Sequence, residues 1–117
     1  MSMSDLIERL EAAGIPIDDL AKSAMIDIDP GHFTDYDLEV FWHDRPIPFL
    51  FTGFGATRTI SAPHMIATLL HHLEINEGQD IMLIGSKGGY LAAIIDRMVG
   101  EEGTVTIVEP HEAVSYT

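Results

Sequence analysis

The sequence predicts an α/β fold: helices at the N-terminus, then the first βαβ unit of a parallel sheet that is left incomplete. Three observations lead there. Ile81-Met82-Leu83-Ile84 is a short, wholly apolar run, as a strand buried on both faces requires. Gly85-Ser86-Lys87-Gly88-Gly89 follows as a glycine-rich loop, and Tyr90 to Val99 reads as a helix closed by Gly100. Beyond a turn at Glu102-Gly103, Thr104 to Val108 is a second strand, ending at the acid Glu109. Two strands separated by a helix need a crossover connection, and so form a parallel pair.

The earlier elements are read in the same way. Ser4 is placed to cap a helix carrying Leu6, Ile7 and Leu10 on one face and stopping at Gly14. Pro16 suits the start of a second helix, with Ile17, Leu20, Ala21 and Ala24 inward. Asp29-Pro30-Gly31 marks a turn. From His32 to Phe54, aromatic residues alternate with Pro46, Pro48 and Gly53; a packed loop with one or two short strands is expected. Ser61 opens the clearest helix, with Pro63 in its first turn, Ile66, Leu69, Leu70 and Leu73 at helical spacing, and Asn76-Glu77-Gly78 at its end. At 117 residues the chain is one domain or a piece of one, divided into a helical and loop part over 1–58 and the start of the sheet-bearing core over 59–117.

Charge excludes several functions. Six Lys and Arg stand against nineteen Asp and Glu, a net charge of −13. Phosphate backbones and anionic membrane surfaces are held by clustered Lys and Arg, so neither nucleic acid nor a membrane is expected as partner. The acids suit a solvated face, and salt adaptation would produce the same balance. There is no cysteine, hence no disulfide and no thiolate metal site. No signal peptide is visible, and no apolar run approaches the roughly 20 residues of a membrane span. A cytoplasmic protein is expected. His64 and His71 lie two helical turns apart, too far to share an ion, so no metal is expected.

The glycine loop is the strongest candidate for chemistry. Glycines between a strand and a helix let a ligand approach the backbone, and the helix start offers free N–H groups. Glu109 lies about 20 residues beyond the loop, where an acid accepts hydrogen bonds from ribose hydroxyls. This pattern does not choose between NAD, FAD and S-adenosylmethionine. Glycines at such a turn also serve packing alone.

A second segment is more specific. Thr59-Ile60-Ser61-Ala62-Pro63-His64-Met65, just before an apolar helix, resembles the signature of protein-L-isoaspartate O-methyltransferases, and Asp44-Arg45-Pro46-Ile47-Pro48 resembles that family's DRPLPI stretch. The resemblance covers roughly residues 5–117. It implies a Rossmann-like fold whose seven-stranded sheet is represented here by two core strands, so the chain is expected to be the N-terminal part of a longer protein and inactive alone. It implies methyl transfer from S-adenosylmethionine to the carboxylate of L-isoaspartyl residues in damaged proteins, a repair reaction. It also implies an active-site serine at Ser61 and cofactor contacts at Ala62, Pro63, His64, Gly85, Ser86, Gly89 and Glu109. Two positions depart from the pattern. Leu83 stands where the family has an acid for the amino group of the cofactor's methionine, and Lys87 replaces the middle glycine. These departures keep open a divergent, catalytically weak homologue used for binding or assembly. A generic dinucleotide-binding unit is a third reading, against which the TISAPHM segment argues. An incomplete parallel sheet has an unpaired edge, through which copies of the chain are expected to associate.

Overall fold

The crossover is present. In the computed structural model, which describes residues 2–51, 57–85 and 89–108, β3 (Asp80–Ile84) and β4 (Thr104–Val108) pair in parallel, in register from Asp80 opposite Thr104 to Ile84 opposite Val108. Helix α5 (Tyr90–Val99) connects them. Ahead of this unit come α1 (Met3–Ala12), α2 (Asp19–Asp27), a 3₁₀ turn (Pro30–His32) and the one-turn helix α3 (Glu39–Trp42). An antiparallel pair, β1 (Ile47–Phe51) and β2 (Thr57–Ile60), and helix α4 (Pro63–Leu73) follow.

The helices form where their apolar residues share a face. Leu6, Ile7 and Leu10 of α1 are buried, as are Ala21, Ala24 and Met25 of α2. The two alanines of α2 let its backbone approach α5, which presents Ile94, Ile95, Met98 and Val99 to the same interior. The core runs on through Phe41, Ile47, Ile60, Ile66 and Leu70, so one apolar cluster joins the helical half to the sheet-bearing half. Aromatic residues of the irregular stretch are packed: the rings of Phe33 and Phe41 meet Tyr90 edge-on at 5.6 and 5.9 Å. Pro48 has no N–H for the ladder, and the β1–β2 register slips between Pro48 and Leu50.

Several element ends differ from the sequence expectation. The cap of α1 is Ser2, not Ser4: Ser2 Oγ accepts from the Asp5 N–H (3.2 Å) and the Asp5 carboxylate accepts from the Ser2 N–H (3.2 Å), closing a capping box. Helix α2 begins at Asp19 rather than Pro16. Helix α3 was not expected, being too short to show a period. Helix α4 stops at Leu73, where Glu74 turns left-handed (φ 51°), several residues before Gly78.

The largest difference concerns the sheet. The Ile81–Ile84 run was expected to be buried on both faces, yet Met82 is 64% and Ile84 74% exposed, and Val108 of β4 is exposed beside them. Ile81, Leu83 and Val105 on the opposite face pack against the core. Helix α5 covers one face only, and no other described element lies on the second. At the far end, Gly103 is held tightly: a Cβ there would stand 2.5 Å from Val99 Cβ and 2.6 Å from the Gln79 carbonyl oxygen. The Gln79 carbonyl also accepts from the Thr104 N–H at 3.1 Å, fixing where β4 begins.

The two candidate caps of α1 separate cleanly by mutation. Ser2→Ala is expected to lower stability by about 1 kcal/mol in urea unfolding, whereas Ser4→Ala, at an exposed position, leaves it within about 0.5 kcal/mol.

Candidate functional site

The start of α4 and the end of β3 converge on one cleft. Ser61 and Gly85 both line it, with Thr59 and Ile60 at the end of β2 beside them. Ile66, Tyr90 and Leu91 form apolar walls, and the side chains of Met65 and Leu69 stand exposed at the rim. Gly85 adopts φ +72°, a left-handed turn that glycine enters without strain, and among the described residues nothing lies within 4 Å of where its Cβ would be. The Gly85 N–H donates to the Val108 carbonyl at 2.8 Å, which sets the end of β4 beside the start of the glycine loop. Gly89, also left-handed (φ +89°), is the N-cap of α5.

The cap of α4 comes from a distant segment. Its N-cap is Ala62, which has no side-chain acceptor, and Pro63 has no N–H. The Met65 and Ile66 N–H groups donate to the Ala62 carbonyl at 3.0 and 3.1 Å. The remaining donor of the first turn, the His64 N–H, reaches Asp44 Oδ1 at 2.7 Å. The other carboxylate oxygen lies 2.9 Å from His64 Nδ1, without the geometry of a ring hydrogen bond. Ser61 precedes the N-cap, so the helix begins at Pro63 rather than at Ser61.

Tyr90 has a different character. It is fully buried, and its hydroxyl meets no hydrogen-bond partner among the described residues. Burial pushes its pKa well above the usual tyrosine range, and the Asp29 carboxylate adds to the shift.

Of the residues singled out in the sequence, the structure brings Ser61 and Gly85 to one cleft. Ala62 and Pro63 are buried at the helix start and serve its geometry. His64 is engaged with Asp44 at the same turn. Gly89 borders a separate shallow depression with Phe33 and Ala92. Ser86, Lys87 and Glu109 lie outside the described residues. Leu83, at the departure from the family pattern, is partly buried against the core. Sequence reasoning named Asp44 as part of the Asp44–Pro48 segment but gave its carboxylate no role, its partner being twenty residues away, and it missed the wall residues Tyr90 and Leu91. The exposed pair Met65 and Leu69 carries a one-turn spacing that would have marked an apolar stripe outside the core.

Known proteins match this chain closely. The family described as Protein-L-isoaspartate(D-aspartate) O-methyltransferase (PCMT) matches over residues 1–116. A protein-L-isoaspartate O-methyltransferase of Methanosarcina mazei is 34% identical over 111 residues, covering 94% of this chain and 43% of that protein. One from Methanococcoides burtonii is 38% identical over 105 residues, covering 89% of this chain and 48% of that protein. A solved structure of a protein-L-isoaspartate O-methyltransferase superposes with a TM-score of 0.81 at 26% identity, over 96% of this chain and 35% of that one. A Plasmodium falciparum homologue, crystallised in complex with S-adenosyl-L-homocysteine, superposes with a TM-score of 0.77 at 27% identity, over 97% of this chain and 51% of that one. The chain thus spans about half, or less, of the length of the relatives it matches.

The buried hydroxyl makes a pH prediction. An unfolded tyrosine ionises near pH 10, whereas Tyr90 in the fold keeps its proton to higher pH. Ionisation then favours the unfolded chain, so stability is unaffected below about pH 10 and falls as pH rises beyond it. Tyr90→Phe should lack that part of the decline and match the wild type at pH 7, as read by urea unfolding on either side of about pH 10.

Proposed function

We propose a function that proceeds from family membership: the chain belongs to the protein-L-isoaspartate O-methyltransferase family. It supplies the mouth of the active site of an enzyme that methylates the free carboxylate of L-isoaspartyl residues in damaged proteins. The observation that carries this reading is the meeting of Ser61 and Gly85 in one cleft at the start of α4. S-adenosylmethionine, when bound, would supply a sulfonium methyl group for attack by a carboxylate oxygen, with the thioether S-adenosylhomocysteine leaving as the methyl ester forms. The left-handed turn at Gly85 leaves open space for such a molecule among the described residues, and the apolar walls of Ile66, Tyr90 and Leu91 keep water from the reacting atoms.

The roles of the protein's own residues follow from the chemistry. The nucleophile is a carboxylate, ionised at neutral pH, so no general base is needed. What the site must do is orient it. Ser61 donates a hydrogen bond to the substrate carboxylate. Ala62, Pro63 and His64 shape the turn that carries Ser61. Gly85, Ser86 and Gly89 hold the methionine end of the cofactor, and Glu109 its ribose.

Leu83 favours a second reading. It packs against the core at the position where the family has an acid, so one charge-assisted contact to the cofactor is missing. Such a contact is worth about 1.5–3 kcal/mol, or roughly 10- to 100-fold in affinity. A weakly active homologue used for binding or assembly is consistent with that loss. Self-association through the open edges of β3 and β4 goes with either reading, as does a cytoplasmic location.

Two measurements test this. In the full-length protein, Ser61→Ala should lower kcat/KM for an isoaspartyl peptide by roughly tenfold or more, and leave the S-adenosylhomocysteine affinity within about twofold by calorimetry. A wild-type kcat/KM in that variant would remove Ser61 from the mechanism, and binding without any methyl transfer would select the second reading. Sedimentation of this chain over a range of concentrations should show a dimer, and a monomer at every concentration would dispose of the edge contact.

A further inference from the structure

We propose that Asp44 is the positioning residue of the Ser61 cleft: its carboxylate, and not Ser61, closes the first turn of α4, and so leaves the Ser61 hydroxyl to the ligand. This rests on the reading of Ser61 given above. Among the first-turn donors of α4, the His64 N–H alone has no acceptor within the helix. Pro63 carries no N–H, and the Met65 and Ile66 N–H groups are taken by the Ala62 carbonyl. Asp44 Oδ1 meets that donor at 2.7 Å, and Oδ2 stands 2.9 Å from His64 Nδ1. A serine next to a helix start would ordinarily turn its hydroxyl onto such an N–H. With Asp44 in place, that competition is absent.

The backbone at Asp44 supports the assignment. Asp44 follows the C-cap of α3, and its N–H donates to the Phe41 carbonyl at 3.0 Å. Its φ is +62°, a left-handed position that glycine usually fills after a helix. Glycine would suit α3 better, but glycine has nothing to offer His64. Aspartate and asparagine are the residues that tolerate this backbone and carry an acceptor on a short stem. One residue therefore ends α3 and begins α4, tying the Asp44–Pro48 segment to the turn that bears Ser61.

The pair Asp44→Gly and Asp44→Asn isolates the carboxylate's role from the backbone's. Glycine keeps the left-handed turn and removes the acceptor; asparagine keeps both. In the full-length protein, Asp44→Gly should raise the KM for an isoaspartyl peptide roughly tenfold with little change in kcat, at an unchanged melting temperature. Asp44→Asn should restore the wild-type KM within about twofold. In this chain, the His64 amide proton should lie downfield in the wild type and the Asn variant, and move upfield in the Gly variant. A wild-type KM in Asp44→Gly, or an Asn variant as impaired as Gly, would overturn the assignment. A wild-type protein that transfers no methyl group would instead defeat the reading of Ser61, and the amide shift would still decide what Asp44 does.

Discussion

Two parallel strands cannot be joined by a tight turn, so the whole arrangement depends on α5 lying flat between the sheet and α2. That placement is a packing constraint. Ile94, Ile95, Met98 and Val99 fill the space under β3 and β4, and the alanines of α2 admit the helix from the other side. Gly103 is where the constraint is tightest, since any side chain there would strike Val99 and the Gln79 carbonyl. With α5 seated, β3 must end at Gly85 and β4 must run beside it, which delivers the start of the glycine loop to the mouth of α4.

The site is therefore built from segments far apart in the sequence and held by different forces. Gly85 is placed by the sheet, Ser61 by the entry into α4, and that entry is held by Asp44 from the end of α3. Apolar burial sets the coarse position and a few polar contacts set the last ångström. The contacts are short in number: the Asp44 carboxylate to His64, Thr34 Oγ1 donating to the Pro48 carbonyl at 2.7 Å, and the Gly85 N–H to Val108. Exposed ion pairs such as Arg97 with Asp27 (2.8 Å) add little beside these, because solvent screens them.

What could be read in the sequence was whatever is local. The βαβ unit announced itself through an apolar run, a glycine loop and a helical period, and both strands lie where those signals put them. Ser61 and Gly85 were legible because they sit in recognisable segments. Asp44 sits in one too, but nothing in its neighbourhood says that its carboxylate caps a helix twenty residues later. The cap of α1 was misjudged because Ser2 and Ser4 are equally good on composition, and only the reciprocal bond from Asp5 decides between them. The second face of β3 was misjudged for another reason. An apolar run reports the surface that a strand can bury, and the cover must come from elsewhere.

That uncovered face bears on the self-association proposed above. Met82, Ile84 and Val108 form a water-facing apolar strip, while residues 1–44 carry a balance of −9. Like charges hold neighbouring molecules apart over about 10 Å in dilute buffer, a reach that shrinks to roughly 3 Å in molar salt. In the proposed self-association, ionic strength would act as a throttle: the greasy strip is constant, and the electrostatic fence around it is what the solvent raises or lowers.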